Sequence, residues 1–312
     1  MTLLLNANEV ARAAELLCDG ALVAFPTETV YGLGADATRD ISVARIFEAK
    51  NRPSFNPLIV HLPDMAAVER LVVFDAAARA LAKAFWPGPM SLVLPLRPEA
   101  GLSDLVTAGL GTVALRVPSH PLAQEVLRAA GRPIAAPSAN PSGKISPTTA
   151  AHVMDGLRGR IDAVIDGGAC AVGLESSIFG GDPITMLRPG GVTREQAEEV
   201  LGKRLATPQD QTTPNAPGQL ASHYAPDAGV RLNVAAKGHV PHLGFGAGAA
   251  DLNLSAAGDM LQAAAHLFGM LREMDALAHA AGVDYFTVAP VPMDGIGLAI
   301  NDRLNRAAAP RT

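Results

Sequence analysis

Two cations, Lys50 and Arg52, stand two residues apart in a proline-rich segment. Pro53 follows Arg52 directly, and a residue that precedes proline is disfavoured in the helical region. The pattern therefore predicts a helix over about 41–50 that ends here and presents both cations from an extended loop. An arginine fork and a lysine point charge on one stiff loop are suited to a polyanion. The alternative is that they are only the basic residues that the helix dipole favours at a helix C-terminus.

The segment after this loop extends the candidate site. Asn56 and Pro57 prolong the loop, and the apolar residues 58–60 predict a short strand that ends at His61.

A second group of polar side chains follows the apolar run 21–25, which predicts a buried strand. The segment 26–34 reads Pro-Thr-Glu-Thr-Val-Tyr-Gly-Leu-Gly, and Thr29 lies in it. Binding groups collect at strand ends, so we predict a ligand edge here, with an ordinary β-turn as the alternative. The spacing of Gly32, Gly34 and Ala37 formally fits a dinucleotide fingerprint, but no helix is predicted to open directly after it.

Arg116 is the charged residue of a predicted strand over 112–117. A buried cation is costly unless it is paired. Two partners stay open, the carboxylate of Glu28 or the carboxylate of a ligand, and the ligand is the favoured interpretation.

Two further loops carry short polar side chains. Residues 137–147 include Ser138, Asn140 and Ser146, and their prolines make a stiff loop that loses little entropy on binding. The alternative is a connecting loop in which Ser146 caps a helix that begins near 148. Arg188 ends a predicted strand over 185–187 before two glycines, and is a candidate anion contact.

Composition limits the class of protein. The chain has 312 residues, 49% hydrophobic residues and a formal net charge of −5. The charge argues against a broad nucleic-acid footprint but allows a local phosphate pocket. The two cysteines, Cys18 and Cys170, form no C-x-x-C motif, which predicts reduced thiols and a cytoplasmic protein. We find no signal-peptide pattern and no apolar run long enough for a membrane helix.

The C-terminal third changes character. Residues 206–218 are rich in Thr, Pro, Gln, Asn and Gly, as is typical of a linker. The pair His223-Tyr224 then either closes over a pocket as a lid or docks on the surface. A strand–helix–strand–helix order follows and predicts a small α/β layer. We therefore predict a catalytic domain over 1–202, a linker or lid over 203–227 and a C-terminal domain over 228–312.

Taken together, the ordered motifs resemble threonylcarbamoyl-AMP synthases of the YrdC type, in the long form with a Rossmann-like C-terminal domain. One departure is that the family commonly has Thr-Val-Val/Ile-Asp after Glu-Ser, where this chain has 177–180 as Ser-Ile-Phe-Gly. The resemblance rests on segment 26–34, Lys50-x-Arg52-Pro53, Ser138-x-Asn140, Arg188-Pro189-Gly190, His223-Tyr224-Ala225-Pro226 and the segment 297–304.

The resemblance implies an α/β fold: a YrdC-like twisted sheet with helices and a concave groove, plus a small Rossmann-like domain. It implies a nucleotidyltransferase that makes threonylcarbamoyl-adenylate and pyrophosphate from L-threonine, bicarbonate or CO2, and ATP. Mg²⁺ would arrive with ATP, with no dedicated protein ligands. A tRNA threonylcarbamoyltransferase complex would use the product downstream, and no membrane is involved.

The resemblance also implies roles for particular residues. Lys50 and Arg52 would be catalytic. The ATP site would consist of Lys50, Arg52, Asn56, Thr112, Ser138, Asn140, Ser146, Arg188 and Tyr224. The threonine site would consist of Thr29, His61, Arg116 and Ser176.

Three other classes of function remain open at this stage. One is an RNA-binding module, which the acidic net charge disfavours. Another is a carbamoyltransferase of hydrogenase maturation, whose zinc-finger cysteines this chain does not supply. The third is a regulatory protein whose C-terminal domain senses a metabolite.

Overall fold

A mixed ten-stranded sheet carries most of the residues that the sequence singled out. The computed structural model describes residues 1–53, 55–206, 223–236 and 238–310, so most of the predicted linker lies outside the described residues. The strands are β1 (Leu3–Leu5), β2 (Val23–Phe25), β3 (Gly32–Asp36), β4 (Ile59–His61), β5 (Met90–Pro95), β6 (Thr112–Arg116), β7 (Ile134–Ala135), β8 (Ala163–Ile165), β9 (Ser177–Gly180) and β10 (Thr185–Arg188). Their order across the sheet is β1-β8-β2-β3-β7-β4-β6-β5-β9-β10.

Helices cover both faces of this sheet. Val23 and Phe25 pack with α1 and α6 on one face, whereas Ala24 packs into the core cluster on the other face, as the two-residue period of a strand requires. The helices are α1 (Val10–Cys18), α2 (Asp40–Lys50), α3 (Met65–Glu69), α4 (Ala76–Phe85), α5 (Asp104–Thr107), α6 (Pro121–Ala130), α7 (Ala150–Leu157) and α8 (Arg194–Leu201).

A smaller, all-parallel sheet of four strands follows, in the order β11-β14-β12-β13. Its strands are β11 (Gly229–Leu232), β12 (His242–Gly244), β13 (Leu252–Asn253) and β14 (Tyr285–Val288), and its helices are α9 (Met260–Ala280) and α10 (Gly297–Ala308). The predicted α/β class, with a large sheet and a second small α/β layer, is confirmed. Among the described residues no helix is long and apolar enough to cross a membrane.

Strand register places two predicted site residues side by side. Strands β4 and β6 are parallel, and His61 is the register partner of Arg116. Helix α2 ends at Lys50 as predicted, and Asn51 follows in the left-handed region with φ of 50°. That reversal sends the chain out of the helix, so Arg52 projects from the loop beside the strand ends.

Two of the alternatives that the sequence left open differ from the structure. The segment that begins at Gly32 is strand β3 rather than a turn. Gly34 is needed in this strand for packing, because a Cβ at that position would lie 2.8 Å from the Phe25 ring. Ser146 does not cap the next helix, because Thr149 accepts the hydrogen bond from the His152 N–H and caps α7 instead. The Ser146 hydroxyl donates to Glu175.

Candidate functional site

One cavity brings together residues from the ends of several strands of the large sheet and from the loops beside them. Eight of the thirteen predicted site residues line it, and they come from separate parts of the chain. The lining residues are Thr27, Thr29, Val30, Gly32, Arg52, Ile59, His61, Arg116, Ala136, Pro137, Ser138, Glu175, Ser176, Arg188, His223 and Tyr224.

One end of the cavity is built around Arg116, at the end of β6. Arg116 Nη2 lies 2.7 Å from Glu28 Oε1, so the core carboxylate, the less favoured of the two predicted partners, is present. Nη1 donates to Thr29 Oγ1 at 2.7 Å, and Nε donates to Gly88 O at 3.2 Å. Arg116 still lines the cavity. This end, which we call the balanced end, therefore holds a cation and its counter-charge together.

His61 completes the balanced end. Its ring is buried, and Nδ1 lies 3.3 Å from Ile59 O. Burial and the neighbouring charge of Arg116 lower the pKa of His61 to about 3. The imidazole is therefore neutral, and with Nδ1 donating to the carbonyl it presents Nε2 as a hydrogen-bond acceptor.

The other end, which we call the cationic end, has Arg52 and Arg188 in its lining and Lys50 directly behind it, at Ser138. Lys50 Nζ donates to Ser138 O at 2.5 Å and also to Asn140 O. Burial and the charge of Arg52 lower the pKa of Lys50. Burial and the charge of Arg188 lower the pKa of Arg52 to about 10. Three cations close enough to disfavour one another's charge make a site that an anion stabilises.

Arg188 also fixes Ser176, which the resemblance assigned to the threonine site. Arg188 Nε and Nη2 donate to Ser176 O at 3.1 and 3.0 Å, and Nη2 reaches Ser176 Oγ at 3.2 Å. Ser176 Oγ in turn lies 2.8 Å from Ser91 Oγ. Arg188 of the cationic end therefore positions a serine that lines the same cavity as Arg116.

Five predicted residues lie outside the cavity lining. Lys50, Asn140 and Ser146 contact it from behind, through Ser138 and Glu175. The side chain of Asn140 donates to Pro141 O and Lys144 O, both at 2.8 Å. Asn56 is buried in the loop, and its carbonyl accepts from Arg52 at 3.4 Å. Thr112 begins β6, at the far end from Arg116.

Sequence reasoning missed Glu175 as part of the lining, and it offered His223 only as a member of the possible lid pair with Tyr224. Glu175 was noted only as the neighbour of Ser176, and nothing in its sequence context shows that it faces distant cations. The charges of Arg303 and Arg188 and the Ser146 hydroxyl outweigh the effect of burial and lower the pKa of Glu175. Burial lowers the pKa of His223 to about 3, even though Glu175 acts in the opposite direction.

Tyr224 lies at the cavity and is buried, with φ of 61°. Its ring centroid lies 5.3 Å from that of Phe268 and 4.1 Å from that of His223. Burial and the nearby Glu175 raise the pKa of Tyr224 to about 12, so its hydroxyl stays protonated. Residues 207–222, on which the rest of the predicted lid falls, lie outside the described residues.

Within the described parts of the chain, no group of three His, Cys, Asp or Glu side chains is arranged to hold a metal ion. The carboxylate that lines the cavity, Glu175, is engaged by Arg303 and Ser146.

Comparison with known proteins places this cavity in context. A family model described as Telomere recombination (Sua5/YciO/YrdC) matches residues 15–190, and one described as Threonylcarbamoyl-AMP synthase, C-terminal domain, matches residues 192–309. Threonylcarbamoyl-AMP synthase of Bacillus subtilis is 42% identical, covering 98% of this chain and 94% of the relative. The synthase of Pyrococcus abyssi is 40% identical, covering 100% and 99%.

A solved structure extends the similarity to three dimensions. The crystal structure of Pyrococcus abyssi Sua5 complexed with L-threonine matches with a TM-score of 0.88 and 38% identity, covering 99% of this chain and 97% of that one. Sequence relatives of nearly full length and a matching fold agree. The chain therefore belongs to the threonylcarbamoyl-AMP synthase family, which are nucleotidyltransferases of tRNA modification.

Proposed function

We propose that the cavity joins L-threonine, bicarbonate or CO2, and ATP into threonylcarbamoyl-AMP and releases pyrophosphate. The observation that carries this proposal is the division of one cavity into a balanced end at Arg116 and a cationic end at Lys50, Arg52 and Arg188. An amino acid is a zwitterion and suits the first, whereas a triphosphate is a polyanion and suits the second. The solved relative from Pyrococcus abyssi holds L-threonine.

L-threonine would bind at the balanced end. Arg116 would receive the carboxylate, with Thr29 and Ser176 as further hydrogen-bonding groups beside it. Neutral His61 would accept a hydrogen bond from the amine or hydroxyl of threonine through Nε2. Because Glu28 already balances Arg116, this end would favour a ligand of no net charge over a dianion.

ATP would place its phosphates against Arg52 and Arg188, with the charge of Lys50 behind them. Ser138 lines the cavity beside Lys50, and Tyr224 stays protonated as a hydrogen-bond donor. Asn56, Asn140 and Ser146 would act from behind this surface by holding the loop and Glu175. For Thr112 the family resemblance is the sole support, because the described cavity lining does not include it.

The reaction needs positioning and charge neutralisation rather than a protein nucleophile. The threonine amine adds to CO2 to form a carbamate with loss of a proton. A carbamate oxygen then attacks the α-phosphorus of ATP, and the bond from that phosphorus to the bridging oxygen of the β-phosphate breaks. Lys50 and Arg52 would stabilise the charge that develops on the phosphates, and the cavity would keep the reactants close together.

Mg²⁺ fits this site as a companion of the nucleotide. Glu175 is committed to Arg303 and Ser146, so the metal would be held by phosphate oxygens and water rather than by a protein cage. Bound in that way, it would neutralise part of the triphosphate charge.

The domain boundaries and cellular setting follow from the same proposal. The last strand of the large sheet ends at Arg188, α8 ends at Leu201, and β11 begins at Gly229. These bounds support a catalytic unit over 1–202, a linker over 203–227 and a C-terminal unit over 228–312. The two free cysteines are in keeping with a cytoplasmic enzyme. A separate tRNA threonylcarbamoyltransferase complex would consume the product.

The test is pyrophosphate release from ATP and labelled bicarbonate, with and without L-threonine. Threonine-dependent release, with the label in an acyl-adenylate, is the expected result. Release that ignores threonine, or ATP binding without any release, would refute the proposal.

A further inference from the structure

The segment 297–304, which the sequence analysis singled out and the reaction did not use, forms the start of α10. Two of its residues fix the position of the first turns of α10. A Cβ on Gly297 would collide with Pro292 O, and Asn301 Nδ2 donates to Val291 O and Pro292 O, both at 3.1 Å. These contacts fix the position at which the next residue of interest, Arg303, leaves the helix.

Arg303 points out of the C-terminal unit and into the wall of the cavity. Its side chain has no exposed surface and is among the largest fully buried side chains of the described chain. Nε donates to Glu175 Oε2 at 3.0 Å, and Nη1 donates to Pro189 O at 2.6 Å. Nη1 also pairs with Asp302 Oδ2 at 2.9 Å, so the guanidinium is held from its own helix.

The two contacts of Arg303 join the two segments that carry Ser176 and Arg188. Glu175 directly precedes Ser176, and its other oxygen accepts from Ser146 Oγ at 2.5 Å. Pro189 directly follows Arg188. These segments lie so close together that a Cβ on Gly190 would collide with the backbone of Glu175 and Ser177.

This arrangement makes the guanidinium difficult to replace. A buried carboxylate that loses its partner is strongly disfavoured in the charged form. The charged and titratable groups that face Glu175 are Arg303, Arg188, His223, Tyr224 and Lys50. Without Arg303, the guanidinium that still acts on Glu175 is that of Arg188, which the proposed reaction needs at the phosphates.

We propose that Arg303 is a positioning residue for the cationic end of the cavity, supplied by the C-terminal unit. It neutralises Glu175 and holds Pro189, and thereby keeps Arg188, Ser176 and Ser146 in place for the nucleotide. The inference rests on the proposed function for the identity of the nucleotide. It gives the C-terminal unit a defined part in the chemistry, and it explains why an arginine is buried where that unit meets the catalytic one.

The test compares Arg303→Met, Arg303→Lys and the double variant Arg303→Met/Glu175→Gln in the full chain. Arg231→Met is the matched control, because Arg231 is an exposed arginine of the same unit that stacks on Tyr285. ATP affinity is measured by calorimetry, and kcat/KM for ATP by pyrophosphate release, each from pH 5.5 to 8.5. Chemical unfolding of each variant is measured in parallel.

Arg303→Met is expected to lower ATP affinity and kcat/KM by roughly 10- to 100-fold, the scale for groups that hold a binding residue in place. The loss should deepen as the pH falls, because Glu175 without its cation takes up a proton more readily and then no longer attracts Arg188. Adding Glu175→Gln should abolish that pH dependence. Arg303→Lys should recover part of the affinity, and Arg231→Met should stay within about threefold of the parent, as expected for a surface position.

A purely structural role would lower the free energy of unfolding but leave the pH profile parallel to that of the parent, and that result would overturn the inference. If Arg303→Met does not fold, Arg303→Lys decides the matter: an ATP affinity equal to that of the parent at every pH would refute the inference. Calorimetry keeps this test separate from the proposed reaction. A parent chain that binds ATP but releases no pyrophosphate would refute the reaction and still report on Arg303.

Discussion

Each end of the cavity contains a buried arginine, and the two arginines have opposite electrostatic surroundings. Arg116 leaves the end of a strand, has a fixed register partner in His61, and carries its own counter-charge in Glu28. Arg52 leaves a loop and donates to the backbone carbonyls of Asn56 and Pro57, with two further cations nearby.

This difference indicates which type of ligand each end binds. A cation that is already neutralised can orient a carboxylate without a large gain from net charge, which suits an amino acid whose own charges cancel. A cluster of like charges is relieved only when an anion enters, which suits a triphosphate. Selectivity between the two substrates would then come from the charge balance of each end. We also expect the two ends to contribute differently to the stability of the protein, because one end contains an ion pair and the other contains like charges.

The largest expected effect is on stability, at the balanced end. Glu28→Gln keeps the shape of the side chain but leaves Arg116 buried without its counter-charge, and should lower the free energy of unfolding by about 3–5 kcal/mol. Urea unfolding at pH 7 measures the change. Glu69→Gln is the control, because its pair with Arg79 is about half exposed and should cost about 0–1 kcal/mol. Equal losses of unfolding free energy in the two variants would mean that Glu28 does not neutralise Arg116.

That prediction depends on a contact that the sequence could only offer as one of two alternatives. Local signals were enough for the end of α2 at Lys50 and for the strand that ends at His61. They failed for β3, where Gly32 and Gly34 look like turn residues because the Phe25 ring that requires a small neighbour lies on another strand. Partners far apart in sequence, such as Glu175 and Arg303, become visible only when the fold brings them together.

At the cationic end the expected effect is on catalysis. Arg52→Ala should lower kcat/KM for ATP by roughly 10²–10³, the scale for losing one electrostatic donor at a developing charge. Its unfolding free energy should change less than that of Glu28→Gln, because the loss of two hydrogen bonds is offset by relief of repulsion with Arg188. Steady-state kinetics and urea unfolding measure the two quantities. Arg12→Ala, at an exposed pair with Glu15, is the control; a loss below about threefold for Arg52→Ala would argue against its role at the phosphates.

Acid should destabilise both ends. The pKa values of His61 and His223 are lowered to about 3 in the folded chain, whereas an unfolded histidine has a pKa near 6.5. Below pH 6.5 the unfolded state therefore binds more protons, and stability is lost as the pH falls from about 6.5 towards 3. At pH 5 each histidine should contribute about 2 kcal/mol of this loss.

Unfolding of the parent, His61→Gln and His223→Gln at pH 7 and pH 5 checks this expectation. Each variant should lose less stability than the parent between the two pH values. An unchanged loss in His61→Gln would show that the imidazole at the balanced end is not held neutral by Arg116 and burial.

The smallest effect is on the salt dependence of binding. Raising ionic strength from 0.05 to 0.5 M should weaken ATP binding by roughly tenfold, because the attraction of a polyanion to a cluster of cations is screened. L-threonine, whose charges cancel and which meets the paired Arg116, should change by less than about twofold under the same screening. Calorimetric titrations of the two ligands at three ionic strengths give the comparison. If the affinities for ATP and L-threonine changed equally with ionic strength, the two ends would not differ in charge balance.

The most direct measurement is a crystal structure of the chain with L-threonine and a non-hydrolysable ATP analogue bound together. The account predicts the threonine carboxylate within hydrogen-bonding distance of Arg116 and the triphosphate against Arg52 and Arg188, with Lys50 behind them. A triphosphate seated on Arg116, or threonine bound among the three cations, would contradict the division of the cavity on which the account depends.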